Sequence, residues 1–148
     1  MKVHVLEREQ HLDRLPSAVF PFFADPANLE RITPPVLGFE VLTPSPLEMR
    51  VGTLIHYRLR IHGIPIDWLT RIDDWEPGVR FVDSQLAGPY KLWHHAHTFE
   101  EHDGGTLMRD VVHFALPAWP LGELALPIVR RDLNAIFDHR REAVAYYT

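Results

Sequence analysis

The strongest constraint on the fold is a series of strand-like runs between residues 38 and 117 whose connections are too short to hold a helix. They read GFEVLT, GTLIHYRLRIHG, IPIDWLTRIDDWEPG, RFVDSQLAGP, YKLWHHAHTFEEHDGG and TLMRDVVHFALP, with Gly, Pro and Asp punctuating the sequence between them. Parallel strands need a crossover of about a dozen residues or more. Successive runs joined this tightly must therefore pair antiparallel, as a meander.

The flanking segments complete the pattern. KVHVLEREQHL alternates and reads as a first strand. In LPSAVFPFFADPANLERIT, Pro16 suits a helical first turn, and Val19, Phe20 and Phe23 follow helical spacing. Pro21 is tolerated early in that helix, Asp25-Pro26 divides the segment into two short helices, and Pro34-Pro35 ends them. Residues 121 to 147 read as one long helix, with a kink or a restart expected at Pro127. The expected class is α+β: a curved antiparallel sheet wrapped around a C-terminal helix, with two short helices after the first strand.

Hairpin arithmetic assigns the faces. A two-residue turn at His62-Gly63 pairs Ile61 with Ile64, Leu59 with Ile66 and Tyr57 with Trp68, so apolar residues oppose apolar residues. That face continues through Thr70 and Ile72, and a two-residue turn at Pro77-Gly78 adds Phe81, Asp83 and Gln85 to it. Asp103-Gly104 is a type I′ candidate that sets Phe99 opposite Met108, His97 opposite Asp110, His95 opposite Val112 and Trp93 opposite Phe114. The aromatic side of that strand, Trp93, His95, His97 and Phe99, is taken as the inner one, which turns His94 outward. Gly88-Pro89 must then have the parity that keeps both halves of the sheet consistent.

The inner surface so derived is mixed. Thr70, Asp83, Gln85, His95, His97 and Asp110 form a polar row among Trp68, Trp93, Phe99 and other apolar groups. A solid core does not favour such a row, because each buried polar group without a partner costs roughly 1–3 kcal/mol. A cavity satisfies it. On the long helix, Leu126, Val129, Leu133, Phe137, Val144 and Tyr147 form one stripe with Arg140 near its centre. A guanidinium there calls for a carboxylate, so a structural ion pair of Arg140 with Asp110 or Asp83 is expected.

Composition excludes several classes. A formal charge of -5 without a basic stripe excludes a general nucleic-acid binder. No apolar run has the length of a membrane span. The charged, alternating N-terminus is unlike a signal peptide, so a cytoplasmic location is expected, as is a single domain over residues 1–148. With no cysteine, disulfides, thiolate nucleophiles and Cys-type zinc sites are absent. The sequence carries no signal for an oligomeric state.

Four stretches resemble the START/Bet v 1-like (SRPBCC) superfamily, in particular its bacterial polyketide cyclase/dehydrase-like branch. They are PSAVFPFFADPANLERITPP, GIPIDWLTRIDDWEPGVRFVDSQLAGPYKLWHHAHTFE, GGTLMRDVVHFALP and RRDLNAIFDHRR, and together they cover nearly the whole chain. The resemblance implies a helix-grip fold: a seven-stranded sheet gripping the C-terminal helix, with an apolar cavity between them. It implies hydrophobic ligands and carries no shared catalytic residue onto a numbered position here.

Three functions are weighed. The first is binding of a hydrophobic small molecule (lipid-, polyketide- or aromatic-like) through Trp68, Thr70, Asp83, Gln85, Trp93, His95, His97 and Phe99. The second is a cyclase/dehydratase-like enzyme with His97 oriented by Asp110 as a proton carrier. The third is a protein-interaction module, which requires a filled cavity. His95-x-His97 with a carboxylate also matches a 2-His-1-carboxylate ligand set, but no HExxH motif accompanies it, and neither a metal nor another cofactor is expected.

Overall fold

The computed structural model describes residues 1–148. Its chain order is β1 (His4–Leu12), α1 (Pro16–Phe23), α2 (Asn28–Ile32), β2 (Glu40–Val41), β3 (Leu54–Ile61), β4 (Ile64–Glu76), β5 (Arg80–Ala87), β6 (Leu92–His102), β7 (Gly105–Ala115) and α3 (Leu126–Tyr147). The strands form one seven-stranded antiparallel sheet in the order β1-β7-β6-β5-β4-β3-β2. It wraps around α3, as the short connections and the helical stripe required.

Two hairpins set the register. His62-Gly63 and Asp103-Gly104 hold positive φ at both positions, the backbone of a type I′ turn. They pair Tyr57 with Trp68 and His97 with Asp110, as the sequence arithmetic expected. The β4–β5 turn differs. Its loop is Pro77, Gly78 and Val79, one residue longer than expected, because Glu76 pairs with Arg80. A bulge at Asp73 removes the extra residue, so Ile72 still opposes Asp83 and Thr70 still opposes Gln85. Face assignments survive an error in the turn.

GFEVLT forms only the two-residue β2. The backbone N–H groups of Leu42 and Thr43 both bond the His56 carbonyl, and Thr43 Oγ1 accepts the His56 N–H, so ladder pairing stops there. The long helix restarts at Pro127. A 3-10 turn spans Leu121–Ala125, and α3 begins at Leu126 with the proline in its first turn, where its missing N–H is not needed.

Two apolar clusters lie between sheet and helix. One gathers Phe20 and Phe23 of α1 with Phe81, Phe99, Met108 and Val144. The other gathers Trp68, Trp93, Val112, Phe114, Leu133 and Phe137. No helix is long and apolar enough to cross a membrane.

Candidate functional site

A cavity of about 170 Å³ opens between the sheet and α3. Its aromatic wall is built by Phe39, Tyr57, Trp68, Tyr90 and Trp93, while Leu133, Ile136 and Phe137 of α3 close the opposite side. Trp68 and Trp93 meet edge to face, with centroids 5.3 Å apart. Tyr90 packs on Trp93 at 4.9 Å. Alternation along β4 and β6 aims both tryptophans inward, because side chains two residues apart share a face.

Farther along β6 the same alternation delivers His95 and His97 to the cavity wall. The two rings stack with centroids 3.6 Å apart. Their carboxylate partners cross over. Asp83 directly opposes His95, and Asp110 directly opposes His97. Yet His95 Nε2 bonds Asp110 Oδ1 at 2.7 Å, and His97 Nε2 bonds Asp83 Oδ2 at 2.7 Å. These are diagonal contacts, within reach of long side chains on neighbouring strands. His97 Nδ1 also lies 3.1 Å from the same Asp110 oxygen. Asp110 thus bridges both histidines.

The expected ion pair of Arg140 with Asp110 or Asp83 does not form. The inward oxygens of both carboxylates are already held by histidines, and Arg140 Nη2 instead lies 3.4 Å from His97 Nδ1. Its guanidinium packs near the rings of Phe23 and Phe137, 5.8 and 6.0 Å from their centroids. Nε there has no hydrogen-bond partner. The ring faces offer a cation–π surface to a group that finds no carboxylate oxygen.

Electrostatics sorts these groups. Burial alone lowers both histidines. For His95 the neighbouring His97 adds to that effect, outweighs the bond to Asp110, and brings its pKa down to about 4. For His97 the bonds to Asp110 and Asp83 win, and its pKa is raised. Burial raises both carboxylates, but His97 holds Asp83 below its usual range, and the two histidines hold Asp110 well below it. The cluster therefore favours two carboxylates, one imidazolium, one guanidinium and one neutral imidazole. Those charges cancel, which lets the group persist in an apolar setting.

Asp83, His95 and His97 place one possible ligand atom each within 4.8 Å of one another. A common ion needs converging lone pairs, whereas stacked imidazoles present nearly parallel ones. Both Nε2 atoms are also engaged by carboxylates, so the rings would have to separate before ligating together.

Most of the sequence-derived residues meet here. Trp68, Thr70, Asp83, Trp93, His95 and His97 line the cavity, and Asp110 stands directly behind them. Two do not line it. Phe99 is packed against Phe20 and Phe23 at 5.1 and 5.3 Å. Gln85 spends its amide on the loop, donating to the Tyr90 carbonyl and accepting from the Tyr90 N–H. Tyr57 and Tyr90 were missed as lining residues. Pairing with Trp68 already put Tyr57 on the inner face, while Tyr90 sits in a connection where no periodicity points. Burial pushes both phenols up, so they are hydroxyl donors at neutral pH.

Residues 12–139 match the family described as polyketide cyclase / dehydrase and lipid transport. The chain belongs to that family, within the START/Bet v 1-like superfamily. Solved structures with the same fold include the ZhuI aromatase/cyclase from Streptomyces sp. R1128, at 16% identity and a TM-score of 0.78, covering 99% of this chain and 93% of that one. The protein CV1439 from Chromobacterium violaceum has 16% identity and a TM-score of 0.75, over 97% and 95% of the two chains. Ara h 8.0201 has 18% identity and a TM-score of 0.65, over 97% and 98%. No curated protein matches the sequence.

Proposed function

We propose that the protein binds a compact hydrophobic molecule, of lipid-, polyketide- or aromatic-like character, with a polar end directed at the histidine–aspartate row. The observation carrying this reading is one space with two kinds of wall: aromatic and aliphatic over most of its surface, and Asp83, His95 and His97 on one side. That is the usual plan of a small-molecule site. An apolar cavity of about 150 Å³ is large enough for benzene. A volume of about 170 Å³ suits a substituted ring or a short chain without further opening. A filled interaction module is disfavoured by the same space.

Native mass spectrometry against the denatured mass tests for a retained ligand, and calorimetry with acetophenone, acetylnaphthalene and decanoate tests the free cavity. Binding of at least one probe is expected, and it is lost when Ile136→Trp fills the space from α3. Absence of both a retained mass and any probe heat, together with a more stable Ile136→Trp variant, would mean an empty packing defect.

A second reading, cyclase- or dehydratase-like acid–base chemistry, draws on the family description, the likeness to an aromatase/cyclase and the raised His97 pKa beside the cavity. It is placed second because both ring nitrogens of His97 already contact groups inside the cluster. His97→Ala separates the two: turnover is abolished under the catalytic reading while probe affinity stays within a few fold.

A further inference from the structure

Asp110 fixes the tautomer of His95. Against the push of burial, the two histidines hold its carboxylate well below the usual range, and an ionised carboxylate only accepts hydrogen bonds. The 2.7 Å contact is therefore an Nε2–H donated by His95. Burial and the neighbouring His97 keep the His95 ring neutral, so its other nitrogen, Nδ1, carries a bare lone pair. No group of the protein bonds that nitrogen. Nor is it sealed inside: the buried side-chain polar atoms that lack a partner are Trp68 Nε1 and Arg140 Nε. Because the ring forms part of the cavity wall, the lone pair opens on the cavity.

Asp83 offers a second acceptor beside it. Asp83 directly opposes His95 across β5 and β6, and directly opposed side chains on one face lie close together. Its Oδ2 is taken by His97, while Oδ1 has no partner, on a side chain that stays 15% exposed at the cavity wall. The surrounding polar groups are committed differently. Thr70 donates its hydroxyl to the Ser84 carbonyl, and Gln85 is spent on Tyr90. The phenols of Tyr57 and Tyr90 can donate or accept, so they impose no preference. Arg140 is a fixed donor on the helix side, and its charge already helps to hold Asp83 ionised.

Two open acceptors call for a proton donor on the ligand. A ketone or an ether brings them only lone pairs and leaves both unsatisfied, and a carboxylate adds a negative charge beside Asp83. A hydroxyl group satisfies them and can still accept from Arg140 or a tyrosine. We propose that His95 Nδ1 and Asp83 Oδ1 form an acceptor pair that selects hydroxyl-bearing ligands, such as a phenol or an enol, over ketones, ethers and carboxylates of the same shape. This selection rests on the cavity being a ligand site, and it defines the chemistry of the polar end taken there.

Calorimetry at neutral pH with naphthol, its methyl ether, acetylnaphthalene and naphthoate tests it on one ring system. Naphthol should bind roughly tenfold tighter than the other three, since only its hydroxyl donates to the pair. His95→Phe keeps a ring in the wall but removes the lone pair, and should cut that ratio to about threefold. Asp83→Asn should go further. The His97 Nε2–H keeps the amide oxygen, the new NH2 turns to the cavity, and acetylnaphthalene becomes the tighter ligand. Ratios are read between ligands within each variant, so a general loosening of the pocket does not imitate the effect. Naphthol that binds no better than its ether and ketone, or a ratio that both substitutions leave unchanged, overturns the selection and leaves the cavity a ligand site. Naphthoate as the tightest probe overturns it too and makes Arg140 the anchor. If no probe binds at all, the cavity reading itself fails and the selection falls with it.

Discussion

The two halves of the inner face carry similar residues and reach different outcomes, with Phe23 and Phe81 at their border, where both also line the cavity. Phe81, Phe99 and Met108 line one half; Trp68, Trp93 and Phe114 line the other. In the first, α1 drives Phe20 and Phe23 into the sheet, and Phe20 meets Phe81 and Phe99 edge to face at 6.0 and 5.1 Å. In the second, Leu37 from the short 3-10 turn Pro35–Leu37 and Phe39 from the irregular chain after it line the cavity wall, leaving open space. Aromatic content does not separate a core from a pocket. The presence of a helix to plug it does.

The sharpest test of that contrast is a pair of truncations. Phe99→Ala removes a ring enclosed by three neighbouring aromatic groups and should destabilise by about 4 kcal/mol. Trp93→Ala borders space that is already empty, so its loss should be smaller than its size suggests, while probe affinity falls steeply. Denaturant melts and calorimetry on both variants provide the check. Equal stability losses with unchanged binding in both would erase the distinction between the halves.

The polar row at the border gives the next largest effect. Asp110→Asn removes the negative charge shared by His95 and His97 and leaves Arg140 with less compensation, a loss of about 3 kcal/mol by analogy with broken buried pairs. Asp83→Asn removes one histidine contact rather than two, and its loss should be smaller. The reverse order would mean that Asp83 carries the cluster.

Acid should expose the same cluster. His95 stays neutral in the folded chain down to about pH 4 but takes a proton in the unfolded chain near 6.5, so the unfolded state binds more protons in between. Stability must therefore fall as pH drops through that window, by about 3 kcal/mol in total from this group. The raised pKa of His97 has the opposite sign: its contribution is complete below the unfolded value of 6.5 and is lost as pH rises through its folded pKa. The depressed carboxylates lose their contribution only at lower pH, as it falls through their folded values. Melts from pH 4 to 8 should show a maximum near neutrality, and His95→Phe should flatten the acid side. An acid limb unchanged in that variant would assign the slope to other groups.

How much of this was legible in the sequence follows from the kind of interaction. Parity and positive-φ dipeptides fixed which residues face inward, because a one-residue slip moves every side chain to the wrong face. Even the longer β4–β5 turn was corrected by the bulge at Asp73. The partners of those residues were not legible. Cross-strand register put His97 opposite Asp110, but the side chains chose diagonal bonds, a matter of rotamers rather than register. Arg140 was expected on a carboxylate and lies among phenylalanines, since the histidines reached the carboxylates first. Phe99 was inward, as expected, but α1 covers it, and hydrophobic spacing does not reveal where a helix will dock.

Gln85 gives the smallest and most discriminating case. Register alone placed it beside Thr70 and Asp83, among the candidate ligand contacts. Its amide is instead consumed by both backbone groups of Tyr90, and a Cβ on Gly88 would come within 2.7 Å of its Oε1, so the loop is built around this side chain. Gln85→Ala should lower stability by about 1–2 kcal/mol for the lost hydrogen bonds. Probe affinity should change only as far as Tyr90 loosens against Trp93. Tyr90→Phe keeps the ring and the backbone contacts and should leave stability nearly unchanged while testing the hydroxyl as a ligand contact. If Gln85→Ala costs far more affinity than Tyr90→Phe at equal stability, the amide reaches the ligand, and the boundary between scaffold and pocket lies two residues farther along β5 than Asp83.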